Sequence, residues 1–369
     1  MRGTGSFFGV ILVIIATVNT AASPLVIAHR GASGYRPEHT LESYRLAIEM
    51  GADFIEPDLV STRDGHLVAR HEPEIGATTD VSSRPEFADR KRTLTLDGMT
   101  VTGWFTVDFT LAELRTLRAI QPRPDRSKEF DGRFLIPTLE EIIDLARRES
   151  KARGRTIGIY PETKHPTWHC ELGLPLERRL LAALDAAGWT GRDSPVFIQS
   201  FESGNLRWLR SRTDVRLIQL LDGGELRDDG SVAPRPRWSS SGKCDLYPQG
   251  DIPQDFTRPE TFAVFREYVD GLGPWKRHLI GTRRTDAADT TERNRRAIAP
   301  TQFVELAHAA GLQVHPWTFR DEAMHLAADY GGDPVAEYRV FAELGVDAVF
   351  TDFPDTAIAA FSRDRATGR

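Results

Sequence analysis

Two histidines in this chain close short apolar runs. His29 follows Val26-Ile27-Ala28 and precedes Arg30, and His71 ends the stretch Leu67–His71. Between them, Glu56 and Asp58 stand two apart in the run Phe54–Ser61. Residues two apart on a strand project from one face. Two carboxylates held close repel, so one takes up a proton unless a cation neutralises them. Glu162, just past the run Thr156–Tyr160, is placed to join the pair. All three offer hard oxygen ligands, which suit Ca²⁺ or Mg²⁺. Calcium is the favoured ion, magnesium the alternative. Zinc held with the histidines is the lesser choice, because His29 and His71 are better used as proton carriers.

A cation, Arg30, Lys164 and two imidazoles together fit a phosphodiester. Positive charge would meet the non-bridging oxygens and stabilise charge gained in the transition state. One imidazole would deprotonate a nucleophile and the other protonate the departing alkoxide. An ordinary imidazole pKa of about 6.5 lets two histidines share those roles near neutrality. Lys164 and Gln199, each after an apolar run, read as pocket lining, and Trp317 as a pocket wall or plain core. Glu38 reads as orienting Arg30, and His39 as a helix-start residue. His165, His169 and His315 read as structural. Taken singly, each candidate is more often a surface pair, a solvated strand face or a structural histidine. Their joint position at the ends of apolar runs is what carries the reading.

Asp64-Gly65 is a turn signal between Phe54–Ser61 and Leu67–His71. With an even loop, His71 falls opposite Asp58 or Glu56. With a three-residue loop it falls opposite Pro57, on the other face.

The elements that must position these groups alternate. Strand-like runs at Leu25–Ala28, Phe54–Ser61, Thr156–Tyr160, Pro195–Ser200, Val215–Leu221, His278–Gly281, Gln313–Thr318 and Ala348–Thr351 are separated by amphipathic stretches. Several of those stretches end at glycine, as at Gly51, Gly188, Gly311 and Gly345. Thr138 with Glu141 forms a capping-box pattern. Repeated strand–helix units imply a parallel sheet with helices outside. About eight strands favour a closed (β/α)8 barrel over an open doubly wound sheet. No G-x-G-x-x-G follows the first strand. Residues from about 74 to about 133 break the rhythm and read as a small inserted domain. Residues 222–259, rich in proline and with Ser239-Ser240-Ser241-Gly242, read as a long loop.

The 369 residues are 40% hydrophobic and 27% charged, with a net charge of −6. That describes an ordinary globular chain and argues against nucleic acid or an anionic membrane as the main partner. Arg2, the short apolar run Phe7–Val18 and the small residues up to Ala22 have the form of a cleaved leader over 1–22. The mature chain, 23–369, is expected to be exported, secreted or periplasmic. Cys170 and Cys244 could then form a disulfide.

The residues quoted so far, with further motifs, carry a family resemblance. His29-Arg30-Gly31, then RPEHT at 36–40, E-x-D at 56–58 and His71 resemble the glycerophosphodiester phosphodiesterase family. PETK at 161–164, IQSF at 198–201, HPWT at 315–318 and TDFPD at 351–355 continue the match in order. PEHT and the large insertion resemble its exported branch. The resemblance implies a TIM barrel with an inserted domain that hydrolyses glycerophosphodiesters, such as glycerophosphocholine, to sn-glycerol 3-phosphate and an alcohol with a divalent cation. It places the catalytic pair on His29 and His71, the metal carboxylates on Glu56, Asp58 and Glu162, and phosphate contacts on Arg30 and Lys164. Glu72, where the family usually has Asp, and Pro57, between the metal carboxylates, depart from its pattern. The other functions compatible with these residues are a phospholipase C- or D-like enzyme acting on lipids and a non-catalytic barrel binding polyol phosphates.

Overall fold

The computed structural model describes residues 23–233, 244–248, 252–285 and 291–366, with side chains through Ser362 in the last helix. The expected leader and the serine run at 239–241 lie outside the described residues.

Eight parallel strands close into a barrel. β1 is Leu25–His29, and β2 runs in two segments, Phe54–Glu56 and Asp58–Ser61. β3 is likewise split into Gly158–Ile159 and Glu162–Thr163. β4 is Phe197–Ser200, β5 Arg216–Leu221, β6 Gly271–Pro274, β7 Gln313–Val314 and β8 Ala348–Thr351. Each pairs with the next in chain order, and β8 returns to β1. Backbone bonds from Asp347 to Val314 (2.9 Å) and from Phe350 to Pro316 (3.0 Å) close the ring between β7 and β8.

A helix follows every strand: Leu41–Glu49, Leu139–Arg153, Glu177–Ala186, Ser203–Arg210, Pro259–Arg266, Phe303–Ala309, Pro334–Glu343 and Pro354–Ala366. The second of these shows why they form. Thr138 and Glu141 exchange side-chain-to-backbone bonds across the first turn. Leu139, Ile142, Ile143, Leu145 and Ala146 then bury one face, and Gly154 at φ 61° ends the helix. Such a stripe is what a helix needs to cover a sheet. Inside the barrel, Ile27, Phe54, Tyr160, Phe197, Ile218 and Phe350 pack into one cluster. This filled interior leaves chemistry to the strand ends.

Two expectations about strands are corrected. Residues 278–281 are not a strand: Lys276–His278 form a 3-10 turn, and the sixth strand is Gly271–Pro274. Its glycines hid it. A Cβ on Gly271 would lie 2.9 Å from Gln313 O, and one on Gly273 2.7 Å from Leu220 Cδ2, so the packed wall requires them. The hairpin after β2 also differs from the even-loop reading. Leu59 faces Ala69 and Ser61 faces Leu67. Arg70 N bonds Asp58 O at 2.9 Å, so Arg70 stands opposite Asp58 and His71 passes the level of Pro57. The odd loop is set by Thr62, whose Oγ1 accepts from His66 N (2.8 Å) and donates to Asp64 (2.6 Å).

Between the return strand Leu67–Ala69 and helix Leu139–Arg153 lies the insertion. It contains an antiparallel hairpin, Arg92–Leu96 with Met99–Gly103, a short helix Leu111–Leu114 and 3-10 turns. Ile75, Val81, Phe87, Phe109, Leu114 and Leu117 form its small core, which joins Val60 and Val68 of the barrel hairpin. Cys170, in the short helix Pro166–Glu171, is disulfide-bonded to Cys244, with Cα atoms 5.8 Å apart.

Candidate active site

The carboxyl ends of β1 to β4 sit at one level. His29 is in register with Glu56, Asp58 with Glu162, and Glu162 with Gln199. Glu56, Asp58 and Glu162 are buried, with ligand oxygens all within 4.8 Å of one another. The interruption at Pro57 helps to make this possible. Proline has no N–H for a ladder, so Glu56 pairs towards β1 while Asp58 pairs towards the outer half of β3. Pro161 breaks β3 beside it, and Glu162 N bonds Pro57 O at 2.9 Å.

The electrostatics of the trio call for a cation. Burial pushes the Glu56 carboxyl well above its usual range, and the Asp58 and Glu162 charges add to this against Arg30. Burial and Asp58 likewise push Glu162 up against the pull of Lys164, whose Nζ lies 3.2 Å away. Burial also penalises the Asp58 charge, but Lys164 and His39 outweigh it and hold Asp58 well below its usual range. Asp58 Oδ1 is buried with no hydrogen-bond partner among the described residues. Three close oxygen donors, one of them orphaned, fit a hard divalent ion.

Arg30 is locked over this trio. Its backbone is left-handed (φ 60°), followed by Gly31 at φ 87°, and this turn aims Arg30 N at Glu56 Oε2, 2.8 Å away. Gly31 is required there: a Cβ would come within 2.4 Å of Ser43 Oγ. The Arg30 guanidinium reaches Glu38 at 3.1 Å and Asp58 at 3.6 Å. His39 is not a plain helix-start residue, since Thr40 caps that helix. Its buried ring links Tyr44 Oη (2.8 Å) to Asp58 Oδ2 (2.9 Å). Arg70, also buried, donates to the carbonyls of Glu38, His39 and Thr78 and so clamps this loop to the insertion.

Beside Arg30 opens a cleft of about 370 Å³, lined by both His29 and His71. His29 Nδ1 donates to Asp352 Oδ1 at 2.6 Å. The other oxygen of Asp352 accepts from Arg126 (2.6 Å) and Arg320 (2.9 Å). Burial penalises the Asp352 charge, but Arg320, His29 and Arg126 hold it well below the usual range, so it stays ionised and accepts. Burial, with Arg30, lowers His29 to about 4. A neutral His29 with its proton on Nδ1 keeps Nε2 as a free base. His71 Nδ1 lies 3.1 Å from Glu72 Oε1. Burial, Arg30 and Lys164 push the His71 pKa well down.

The remaining expected residues are placed less directly. Lys164 neutralises Glu162 at the edge of the trio, and Gln199 Nε2 donates to Glu56 Oε1 at 3.0 Å. Trp317 bonds Gly273 O through its indole (2.8 Å) and meets Phe201 edge-on; none of Lys164, Gln199 and Trp317 lines the cleft. His315 packs inside the barrel against Tyr160. Arg126 and Arg320 escaped the sequence reading because loop arginines carry no local signal. Asp352 had one: it follows the apolar run of β8, as His29 follows that of β1.

The description "Glycerophosphoryl diester phosphodiesterase family" belongs to a family model that matches residues 29–356. The chain belongs to this family. It is 36% identical over 343 residues to glycerophosphodiester phosphodiesterase GDPD6 of Arabidopsis thaliana, covering 89% of this chain and 84% of the relative. Against the glycerophosphodiester phosphodiesterase of Haemophilus influenzae it is 28% identical, covering 93% and 91%. The barrel is similar to that of a glycerophosphodiester phosphodiesterase from Agrobacterium tumefaciens (TM-score 0.53, 19% identity, 91% and 99% covered). It is also similar to an Oleispira antarctica phosphodiesterase solved with its product sn-glycerol-3-phosphate (TM-score 0.57, 20% identity, 92% and 97% covered). The chain is thus an enzyme of the glycerophosphodiester phosphodiesterase class, with the TIM barrel of its structural neighbours.

Proposed function

We propose that the chain is an exported, cation-dependent hydrolase that cleaves small glycerophosphodiesters, glycerophosphocholine among them, to sn-glycerol 3-phosphate and an alcohol. The observation that carries this is the single cleft that joins His29, Arg30 and His71 beside the carboxylate trio. Glu56, Asp58 and Glu162 would hold one divalent ion, Ca²⁺ in preference to Mg²⁺. When bound there, the ion would supply positive charge against the phosphoryl oxygens. Arg30 orients the phosphate and opposes the charge that develops on it. Neutral His29, held by Asp352, takes through Nε2 the proton of the nucleophile, either a water or the adjacent glycerol hydroxyl, whose cyclic phosphate product a water then opens. As the new P–O bond forms, the bond to the alcohol breaks, and His71 protonates the departing oxygen. The negative charge of the bound phosphodiester offsets Arg30 and Lys164 and so favours the protonated His71.

Export is supported by the leader-like residues 1–22 and by the Cys170–Cys244 disulfide, which suits an oxidising compartment. No helix among the described residues is long and apolar enough to cross a membrane. The test is direct. Purified chain is incubated with glycerophosphocholine and Ca²⁺, Mg²⁺ or chelator, and glycerol 3-phosphate is assayed. Product with Ca²⁺ and none with chelator is expected; no product with any ion would refute the reading. A secreted or periplasmic chain that begins at Ser23 would support export, and recovery only with residues 1–22 attached would oppose it.

A further inference from the structure

We infer that His165 and Asp97 are positioning residues for His71, acting through Glu72, so that the insertion completes the proton-donating side of the site. This rests on the reading of His71 as the proton donor. Glu72 faces His71 Nδ1 with Oε1 at 3.1 Å and His165 Nε2 with Oε2 at 2.8 Å. The other nitrogen of His165 meets Asp97 Oδ2 at 2.5 Å. Each ring nitrogen of His165 therefore faces a carboxylate, and both must donate. Burial opposes that charge, but Asp97 and Glu72 outweigh it and lift the pKa to about 9. Lys164, Glu202 and His169 are further titratable groups near it, and Glu202 is bonded to Thr167. A permanently charged imidazole is no proton shuttle at neutral pH. It fixes the rotation of Glu72, which holds one carboxylate oxygen beside His71 Nδ1, where its charge favours the protonated ring that gives its Nε2 proton to the leaving group.

The far end of this chain of contacts is anchored independently. Asp97 and Gly98 form the two-residue turn of the hairpin, at φ 49° and 81°, the left-handed pair that a tight hairpin turn needs. Trp168 Nε1 donates to Thr95 O at 3.2 Å, and Leu96, Phe105, Val107 and Trp168 pack together under the turn. The hairpin is thus docked on the helix that follows His165, and its tip carboxylate has a fixed place.

The test compares two esters of glycerol phosphate in the metal-loaded full chain. Choline leaves as a poor leaving group and needs a proton; p-nitrophenol does not. His165→Asn suits the left-handed backbone there (φ 46°) but cannot span both carboxylates. It is expected to lower kcat on glycerophosphocholine about ten- to a hundredfold, with KM within about twofold, and to cost about tenfold less on the p-nitrophenyl ester. Asp97→Gly, which keeps the turn, should repeat the pattern if His165→Asn fails to fold, and Asp97→Asn should restore most of the rate. Equal losses on both esters, or none, would overturn the inference. His71→Ala is the control. If it too shows no selective loss, the proton-donor reading of His71 falls; if it does and the Asp97 and His165 variants do not, only the positioning role falls.

Discussion

Nδ1 of His29 lies 2.6 Å from Oδ1 of Asp352, so the first and last strands of the barrel meet at the cleft. The pairing decides the tautomer of His29, because an ionised Asp352 can only accept. Asp352→Asn leaves the shape intact but offers an amide that can present its own N–H. Both Asp352→Asn and His29→Ala should lower kcat for glycerol 3-phosphate release by about 10²–10⁴-fold. KM should change far less. A near-normal kcat for either would remove the base role of His29.

Cation binding should be visible without turnover. Glu56 and Glu162 are pushed up by burial and by their neighbours in the trio, so a bound ion relieves repulsion that folding alone leaves in place. Calorimetry should find one Ca²⁺ per chain. At a hundredfold excess over Kd, the ion should add about 2.7 kcal/mol to unfolding stability. Glu162→Gln should weaken binding strongly. An unchanged titration in that variant would dissociate Glu162 from the ion.

Much of this was legible because a barrel enzyme obeys a positional rule. Polar residues just past apolar runs turned out to stand together: His29, Glu56, Asp58 and Glu162 at adjacent strand ends. What was not legible depends on backbone detail. Gly271–Pro274 has no apolar pattern because the barrel wall leaves no room for side chains at its glycines. The loop after β2 is odd because Thr62 bonds its own turn, which no alternation rule encodes. His165 looked structural because Asp97, its partner, is 68 residues away on a hairpin tip.

Acid should unfold the protein through histidines buried away from the cleft. Burial lowers His169 to about 3 and His315 to about 4, against 6.5 when unfolded. Both have folded values below the unfolded one, so the unfolded chain binds more protons between those limits. Stability is full above pH 6.5 and is lost as pH falls towards 4 and 3. Shifts of that size correspond to about 5 kcal/mol for His169 and about 3 kcal/mol for His315. Urea midpoints should fall across that window, and His169→Gln should flatten the fall. A midpoint independent of pH from 6.5 to 4 would contradict this account.

The disulfide should matter to stability more than to chemistry. Cys170 and Cys244 are 74 residues apart, and closing a loop of that length is worth about 4 kcal/mol by chain entropy. Cys244→Ser should lower unfolding stability by that order while kcat at low temperature stays within about twofold. Equal stability of oxidised and reduced chains would show that the loop is already restrained without the bond.

The break at Pro57 also governs which changes of chain length the enzyme can absorb. Asp58 is bonded on one side to the return strand, through Arg70 N, and on the other lies in register with Glu162 of β3. The return strand, not the insertion that follows it, is therefore part of the same ladder that holds two of the carboxylates, and any excision of the insertion must stop short of that strand. Loss of the return strand would strip Asp58 of its partner Arg70 and expose a sheet edge. Additions or deletions can be accommodated where the insertion faces solvent, but each one that shifts Leu67–Ala69 by a single residue re-aims every side chain between the barrel and His71.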